Sequence, residues 1–367
     1  MLLWQIILLA VGMIMLIKGA DFFVDGSSKI AKALHIPSLI IGLTLVSMGT
    51  SAPELSVSIN AALAGSNDLS LGNVVGSNSF NTFLILGISS IVVPLVIGDD
   101  MRKYDIPIMV GIYAIFLVFG FLITPYELDR IESIIFLLLF IAYMVLLFFR
   151  AKKGSQEDEE DDEAISIKNI ILSVLIAAAG VLTILGFNTV SVIVIAIFTV
   201  LMVLKFKKSI NGNLKALNII LNIFFTGAGL LAIIGGGTLV VDSASFIAKE
   251  LGMSQTLVGL TIVAVGTSLP ELVTSVVASI KKENDIAIGN VIGSNIFNVL
   301  LILGTTSTIK PLSLNSDALF DLIVLFASGV FVLLISLFGK NMKKWQGALF
   351  VLCYVAYLAF IIVRNYA

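Results

Sequence analysis

Residues 24–95 of this chain return as residues 241–312 without a gap, at a constant offset of 271 − 54 = 217. Asp25 matches Asp242, Lys32 matches Lys249, Gly42 matches Gly259, Asp68 matches Asp285 and Asn73 matches Asn290. Gly49-Thr50-Ser51-Ala52-Pro53-Glu54 returns as Gly266-Thr267-Ser268-Leu269-Pro270-Glu271, and Gly76-Ser77-Asn78 as Gly293-Ser294-Asn295. Asn81, Gly87 and Pro94-Leu95 return as Asn298, Gly304 and Pro311-Leu312. A register held over that span is an internal duplication. Packing alone accounts for the paired glycines. It does not account for Thr, Ser, Glu and Asn repeated inside apolar sequence.

The surroundings of the repeat decide the solvent. The chain is 58% hydrophobic and 13% charged, with a mean hydropathy of +1.09, which is a polytopic membrane protein and not a globular core. With about 20 apolar residues per crossing, helices are expected near 2–28, 37–65, 69–95, 104–123, 128–149, 168–186, 189–205, 216–248, 254–280, 285–310, 317–338 and 345–364. The start of the chain has no basic segment ahead of its apolar run, so it reads as a retained first helix. The expected division is a first five-helix half at 1–149, an acidic linker at 150–167, an inserted hairpin with a basic connection at 168–215, and a second five-helix half at 216–367.

Lys and Arg collect on alternate connections, among them Arg102, Lys103, Lys152, Lys153, Lys207, Lys208, Lys281, Lys282, Lys343 and Lys344. The positive-inside rule makes that side cytoplasmic and both termini external. The first copy then enters going inward and the second going outward. Inverted repeats of this kind are the mark of alternating-access transporters. The expected fold is therefore all-α and polytopic: an inverted repeat of five plus five helices, with broken helices at an ion site and an added two-helix hairpin.

Net charge is −2 and gives no reason to expect nucleic acid. The single cysteine, Cys353, excludes an internal disulfide and a thiolate metal cluster, and the single histidine, His35, falls in a short polar connection. The acidic run Glu157–Glu163 reads as a solvated cytoplasmic tether; it lacks the spaced ligands and turn glycine of an EF-hand. Asp68 and Asp285 read as N-caps, and Asp25 and Asp242 as solvated helix ends.

The chemistry concentrates at the prolines. Proline has no N–H and clashes with the carbonyl four residues back, so Pro53 and Pro270 are expected to break their helices and free the carbonyls of Gly49 and Gly266. Irregular backbone at membrane depth is tolerated where it is buried in protein or lines a cavity. An ionisable residue at that depth marks function, and Glu54 and Glu271 both lie there. Thr50 and Ser51 precede Glu54 by four and three residues, and Ser77 and Asn81 are four apart on one helix face. Thr267, Ser268, Glu271, Ser294 and Asn298 repeat the set. Carboxylate, hydroxyl, amide and carbonyl oxygens without sulfur or imidazole suit Ca²⁺ and Na⁺. Two glutamates balance one Ca²⁺ or two Na⁺.

At these residues the chain resembles the Na⁺/Ca²⁺ exchangers of the cation/Ca²⁺ exchanger superfamily, in a compact prokaryotic form with two inverted α-repeats. The resemblance covers roughly residues 19–95 and 236–312 through the G-T-S-x-P-E and G-S-N-x-x-N patterns, each present twice. Beyond it, the outer helices match only in number and hydropathy. It implies ion ligands at Thr50, Ser51, Glu54, Ser77, Asn81, Thr267, Ser268, Glu271, Ser294 and Asn298, and adds backbone carbonyls at Ser47 and Ala264. It also implies that the first helix of each repeat slides to switch access. Some relatives, including K⁺-dependent exchangers, carry Asp at the position of Asn298, so Asn there argues against K⁺ co-transport. The implied protein is an antiporter of the plasma (inner) membrane and not an enzyme. Na⁺ and Ca²⁺ are its cargo and the bilayer its setting, with no cofactor and no obligatory protein partner. The nearest rival is an H⁺/Ca²⁺ antiporter, with the two carboxylates carrying protons. An intramembrane aspartyl protease would need two catalytic aspartates, and a channel with a glutamate ring would give flux without counter-ion coupling.

Overall fold

A computed structural model describes residues 2–65, 67–157, 214–252, 264–314 and 316–366. The hairpin expected at 168–205, residues 158–163 of the acidic run and the start of the helix expected at 254–280 lie outside the described residues. Among the described residues the structure is mostly helical. In chain order its helices are α1 (Leu2–Ala33), α2 (Ser38–Thr50), α3 (Ala52–Leu63), α4 (Leu69–Val92), α5 (Met101–Ile123) and α6 (Arg130–Glu157). There follow α7 (Leu214–Glu250), α8 (Ala264–Gly266), α9 (Leu269–Ile280), α10 (Asn284–Ile309), α11 (Ser316–Phe338) and α12 (Lys344–Tyr366). Among the described residues eight helices are long and apolar enough to cross a membrane, and the bent pair α2–α3 makes a ninth span.

Burial separates the middle of the bundle from its rim. The most apolar stretch of α10 is 94% buried and that of α4 is 78% buried, against 17% for α12. These two central helices carry the repeated Gly-Ser-Asn motif. Apolar residues on the rim, such as Leu138, Leu352 and Val363, face outward, which is stable only where the solvent is itself apolar.

The first helix of each copy packs against the other. α1 and α7 meet along a seam of glycines, where a Cβ on Gly12 would lie 2.9 Å from the Gly236 carbonyl oxygen and one on Gly19 would lie 2.8 Å from that of Gly229. The contacts climb α1 while descending α7, so the two helices are antiparallel. Gly12 and Gly19 are the repeat partners of Gly229 and Gly236 (229 − 12 = 236 − 19 = 217). Small residues at such a seam allow close backbone approach in a membrane.

The halves also interlock through two short antiparallel ribbons. β1 (Leu95–Val96) pairs with β4 (Asn341–Met342), and β2 (Glu127–Leu128) pairs with β3 (Leu312–Ser313). Each ribbon takes one strand from each half.

The outer helices hold a correspondence that the ungapped sequence match does not reach. Arg150 grips the buried Asp105 at 2.7 and 3.1 Å, with Asp100 at 3.5 Å and the Tyr143 hydroxyl donating to Asp105. Arg364 grips Asp321 at 3.1 and 3.0 Å, with Asp317 at 3.7 Å, and Tyr357 lies beside Asp321. Here the offset is 364 − 150 = 357 − 143 = 214. The second half is three residues shorter between its first strand and its last helix. The correspondence between the halves therefore reaches the outer helices α5 and α6 on one side and α11 and α12 on the other, past the resemblance in hydropathy alone.

Two sequence expectations are corrected. Glu283, not Asp285, precedes the first turn of α10, with no side-chain cap, and Asp285 sits within that turn. Asp25 is not simply a solvated helix end. Lys281 Nζ reaches Asp25 Oδ1 at 2.7 Å and Asp21 Oδ1 at 3.3 Å, and Ser28 Oγ donates to Glu283 Oε1 at 2.6 Å. The repeat partners of Asp21 and Lys281 are Thr238 and Ala64 (238 − 21 = 281 − 64 = 217), so this tie belongs to one end of the molecule alone.

Candidate ion-binding site

The sequence motif creates a helix break in each half. α2 and α3 meet at a 48° bend, with Ser51 at ψ 6° between them and Pro53 in the first turn of α3. Ser268 repeats the break at ψ 8°, with Pro270 in the first turn of α9. Pro is at home in a first turn, where its missing N–H is no loss. The Gly49 carbonyl is not left free as expected: N–H groups at the Ser51 cap bond to the Gly49 and Ser47 carbonyls, so the bend is a tightened turn.

Glu54 and Glu271 therefore stand in the first turns of α3 and α9, where the positive end of the helix dipole favours a carboxylate. Both are fully buried. Ser51 Oγ donates to Glu271 Oε1 at 2.9 Å, and Ser268 Oγ donates to Glu54 Oε1 at 3.0 Å. Each glutamate is thus held by the serine of the opposite half. Ser77 of α4 lies beside Glu54, and Thr50 lies beside Glu271.

The remaining expected residues gather around this pair. Ser47 turns its hydroxyl back to the Leu43 carbonyl at 2.8 Å. Its own carbonyl accepts Ser51 N–H at 3.0 Å and Ser294 Oγ at 3.4 Å, the second across the halves. Ala264 opens the short turn of α8. Thr267 Oγ1 points at Asn73 Oδ1 at 3.5 Å. Asn81 and Asn298 lie in π-helical turns, Phe80–Ile85 and Asn298–Leu303, a local widening that recurs at functional sites. Asn298 Nδ2 donates to Asn78 Oδ1 at 2.9 Å.

Glu54 Oε2, Glu271 Oε2, Asn298 Oδ1, Ser77 Oγ and both polar atoms of Asn81 are buried and have no hydrogen-bond partner among the described residues. Buried polar groups are normally paired. A cluster of oxygens left open beside two carboxylates fits a desolvated hard cation. No three His, Cys, Asp or Glu side chains converge on a metal-binding arrangement among the described residues, so a cation held here would draw most of its oxygens from hydroxyl, amide and backbone groups.

Asn73, Asn78, Asn290 and Asn295 were visible in the repeat, but nothing in the linear order gave them a role. Asn290 Nδ2 bonds to Glu271 O and Ser275 Oγ, and Asn73 Nδ2 to Glu54 O and Ser58 Oγ. Asn78 Nδ2 reaches Asn295 O at 3.1 Å, and Asn295 Nδ2 reaches Thr82 Oγ1 at 2.9 Å. The signal that could have singled them out is repetition of a polar side chain in helices otherwise buried on every face.

The sequence profile of the family described as "Sodium/calcium exchanger protein" matches residues 4–149 and 221–363. The chain is 39% identical to Sodium/calcium exchanger MaX1 of Methanosarcina acetivorans, across 96% of this chain and 97% of that protein. It is 30% identical to Inner membrane protein YrbG of Escherichia coli, across 83% of this chain and 79% of that protein. Its fold is similar to that of the sodium-calcium exchanger NCX_Mj soaked with 10 mM Na⁺ and zero Ca²⁺, with a TM-score of 0.75, 27% identity and coverage of 98% and 99% of the two chains. The profile takes in both copies of the Glu-bearing break, and the kinship runs nearly end to end: this chain belongs to the sodium/calcium exchanger family.

Proposed function

We propose that this multi-pass membrane protein exchanges Na⁺ for Ca²⁺ by alternating access, electrogenically and without K⁺. The observation that carries the reading is the reciprocal pair of bonds, Ser51 to Glu271 and Ser268 to Glu54, which joins two buried carboxylates into one oxygen cluster. The ligands in this reading are the side chains of Thr50, Ser51, Glu54, Ser77, Asn81, Thr267, Ser268, Glu271, Ser294 and Asn298, with the carbonyls of Ser47 and Ala264. Ca²⁺ takes about 6–8 oxygens, and a set of this size can supply them. The two glutamates balance one Ca²⁺ or two Na⁺. A third Na⁺ leaves a net positive carrier, whose movement is worth about 2.3 kcal/mol per 100 mV. The neutral Asn298 favours independence from K⁺.

The antiparallel glycine seam supports movement of α1 and α7 as a pair across the rest of the bundle. In this reading the inverted halves 1–149 and 216–367 alternate access to one site, both termini are external, and the protein resides in the plasma (inner) membrane. H⁺/Ca²⁺ antiport is the second reading, because the paired carboxylates could carry protons in place of Na⁺. Ca²⁺ uptake into proteoliposomes under an imposed Na⁺ gradient at matched pH tests the choice. Uptake driven by Na⁺ is the expected result; uptake that ignores Na⁺ and follows the proton gradient reverses it.

A further inference from the structure

Each ligating threonine of the proposed site meets an asparagine from the opposite half. Thr50 Oγ1 lies 2.9 Å from Asn290 Oδ1, and Thr267 Oγ1 lies 3.5 Å from Asn73 Oδ1. We propose that Asn290, and more weakly Asn73, are positioning residues that fix the direction of the threonine hydroxyl proton and so present the hydroxyl lone pairs to the ion.

The argument begins with the amide. Asn290 is fully buried. Its Nδ2 lies 3.3 Å from the Glu271 carbonyl oxygen and 2.9 Å from Ser275 Oγ. A carbonyl only accepts, so the NH₂ group must face it and the two hydrogens are used there. That leaves Oδ1, which only accepts, toward Thr50. The hydrogen between them can come only from the threonine.

The Val46 and Ser47 carbonyls also lie within reach of Thr50 Oγ1, at 3.1 and 3.3 Å. Both are acceptors, and both belong to the same helix. Asn290 makes the shortest of the three contacts and the only one that crosses to the other half. A hydroxyl whose proton is committed in this way offers a lone pair to a cation. A hydroxyl free to rotate can turn its proton toward the ion and oppose it.

The same amide also holds the backbone of the glutamate. Asn290 grips the Glu271 carbonyl and Asn73 grips that of Glu54, the latter at 3.2 Å. One side chain thus ties the backbone of the glutamate in its own half to the hydroxyl ligand of the other. The coupling is unequal: the Thr50–Asn290 contact is a full hydrogen bond, while Thr267–Asn73 sits at the limit of one.

This inference rests on the ion site proposed above, and direct Ca²⁺ binding to the purified protein separates the two. Titration calorimetry without Na⁺ is run on the unsubstituted protein, Asn290→Leu, Thr50→Val and the double variant, with thermal melting as a check on folding. Asn290→Leu is expected to raise the Ca²⁺ Kd about five- to tenfold, the worth of one hydrogen bond. In the Thr50→Val background it is expected to add less than about twofold, because no hydroxyl remains to orient. The mirror cycle, Asn73→Leu with Thr267→Val, is expected to show weaker coupling. Equal loss from Asn290→Leu in both backgrounds, or stronger coupling in the mirror cycle, overturns the positioning role while leaving the ion site standing. Absence of Ca²⁺ binding by the unsubstituted protein, or binding that survives Glu54→Gln unchanged, overturns both.

Discussion

Ser51 donates its hydroxyl to Glu271 at 2.9 Å, across 220 residues of sequence and from one half of the duplicated chain to the other. Its counterpart, Ser268, does the same for Glu54 at 3.0 Å. Neither half completes this polar cluster alone, because each carboxylate is held by a serine of the other copy.

Glu54→Gln and Glu271→Gln are each expected to abolish Ca²⁺ transport. Either change removes half of the charge that balances a divalent ion, while the amide keeps the shape of the side chain. Uptake of radioactive Ca²⁺ into proteoliposomes reads the outcome, and normal exchange by Glu54→Gln would be incompatible with this site.

Asn298→Asp is expected to change ion selectivity more than folding. Asn298 is fully buried and donates to Asn78, and Asp would add a third negative charge to the cluster. Competition of Na⁺ and K⁺ against Ca²⁺ uptake, compared with the thermal midpoint in detergent, checks this. Unchanged selectivity with a collapsed midpoint would assign Asn298 to packing.

Arg150→Ala is expected to destabilise the fold by about 3 kcal/mol, because it strands the fully buried Asp105 without its partner. Arg364→Ala breaks the matching pair, but Asp321 retains 15% exposure, so water can replace part of the loss and the penalty is expected to be smaller. Chemical denaturation in detergent ranks the two. A larger loss at Arg364 would contradict the role of burial.

Lys281→Ala is expected to loosen the end of α1 without unfolding the bundle. It removes the ties to Asp21 and Asp25, partly exposed pairs worth about 0.2–1 kcal/mol each. Amide exchange in residues 21–28 is expected to speed up severalfold, while α4 and α10 stay protected. Unchanged exchange in that stretch would mean the ion pairs add nothing to the hold on that end of α1.

The repeat made the candidate site residues legible because the proposed cargo, a hard cation, demands oxygen. Oxygen-bearing side chains are costly in apolar helices unless they are used, so Thr50, Ser51, Glu54, Ser77 and Asn81 stood out twice over. The outer helices were harder to read. Their shared Arg–Asp–Tyr arrangement slips from the register of the repeat, by one residue at Asp321 and by three at Tyr357 and Arg364, and the match without gaps ends at Leu95 and Leu312. Asn290 was also opaque, since its partners Glu271 and Thr50 lie 19 and 240 residues away.

By itself the sequence determined that the chain lives in a membrane, that it was duplicated, and which oxygen-bearing side chains recur inside apolar sequence. These are properties of residue type and period, and both are written locally. Only the tertiary structure decided who holds whom: Ser51 on Glu271, Asn290 on Thr50, Gly12 against Gly236, and Lys281 tying one end of α1 but not the matching end of α7. Contacts between distant segments depend on how the two halves cross, and no local pattern encodes the angle or register of that crossing.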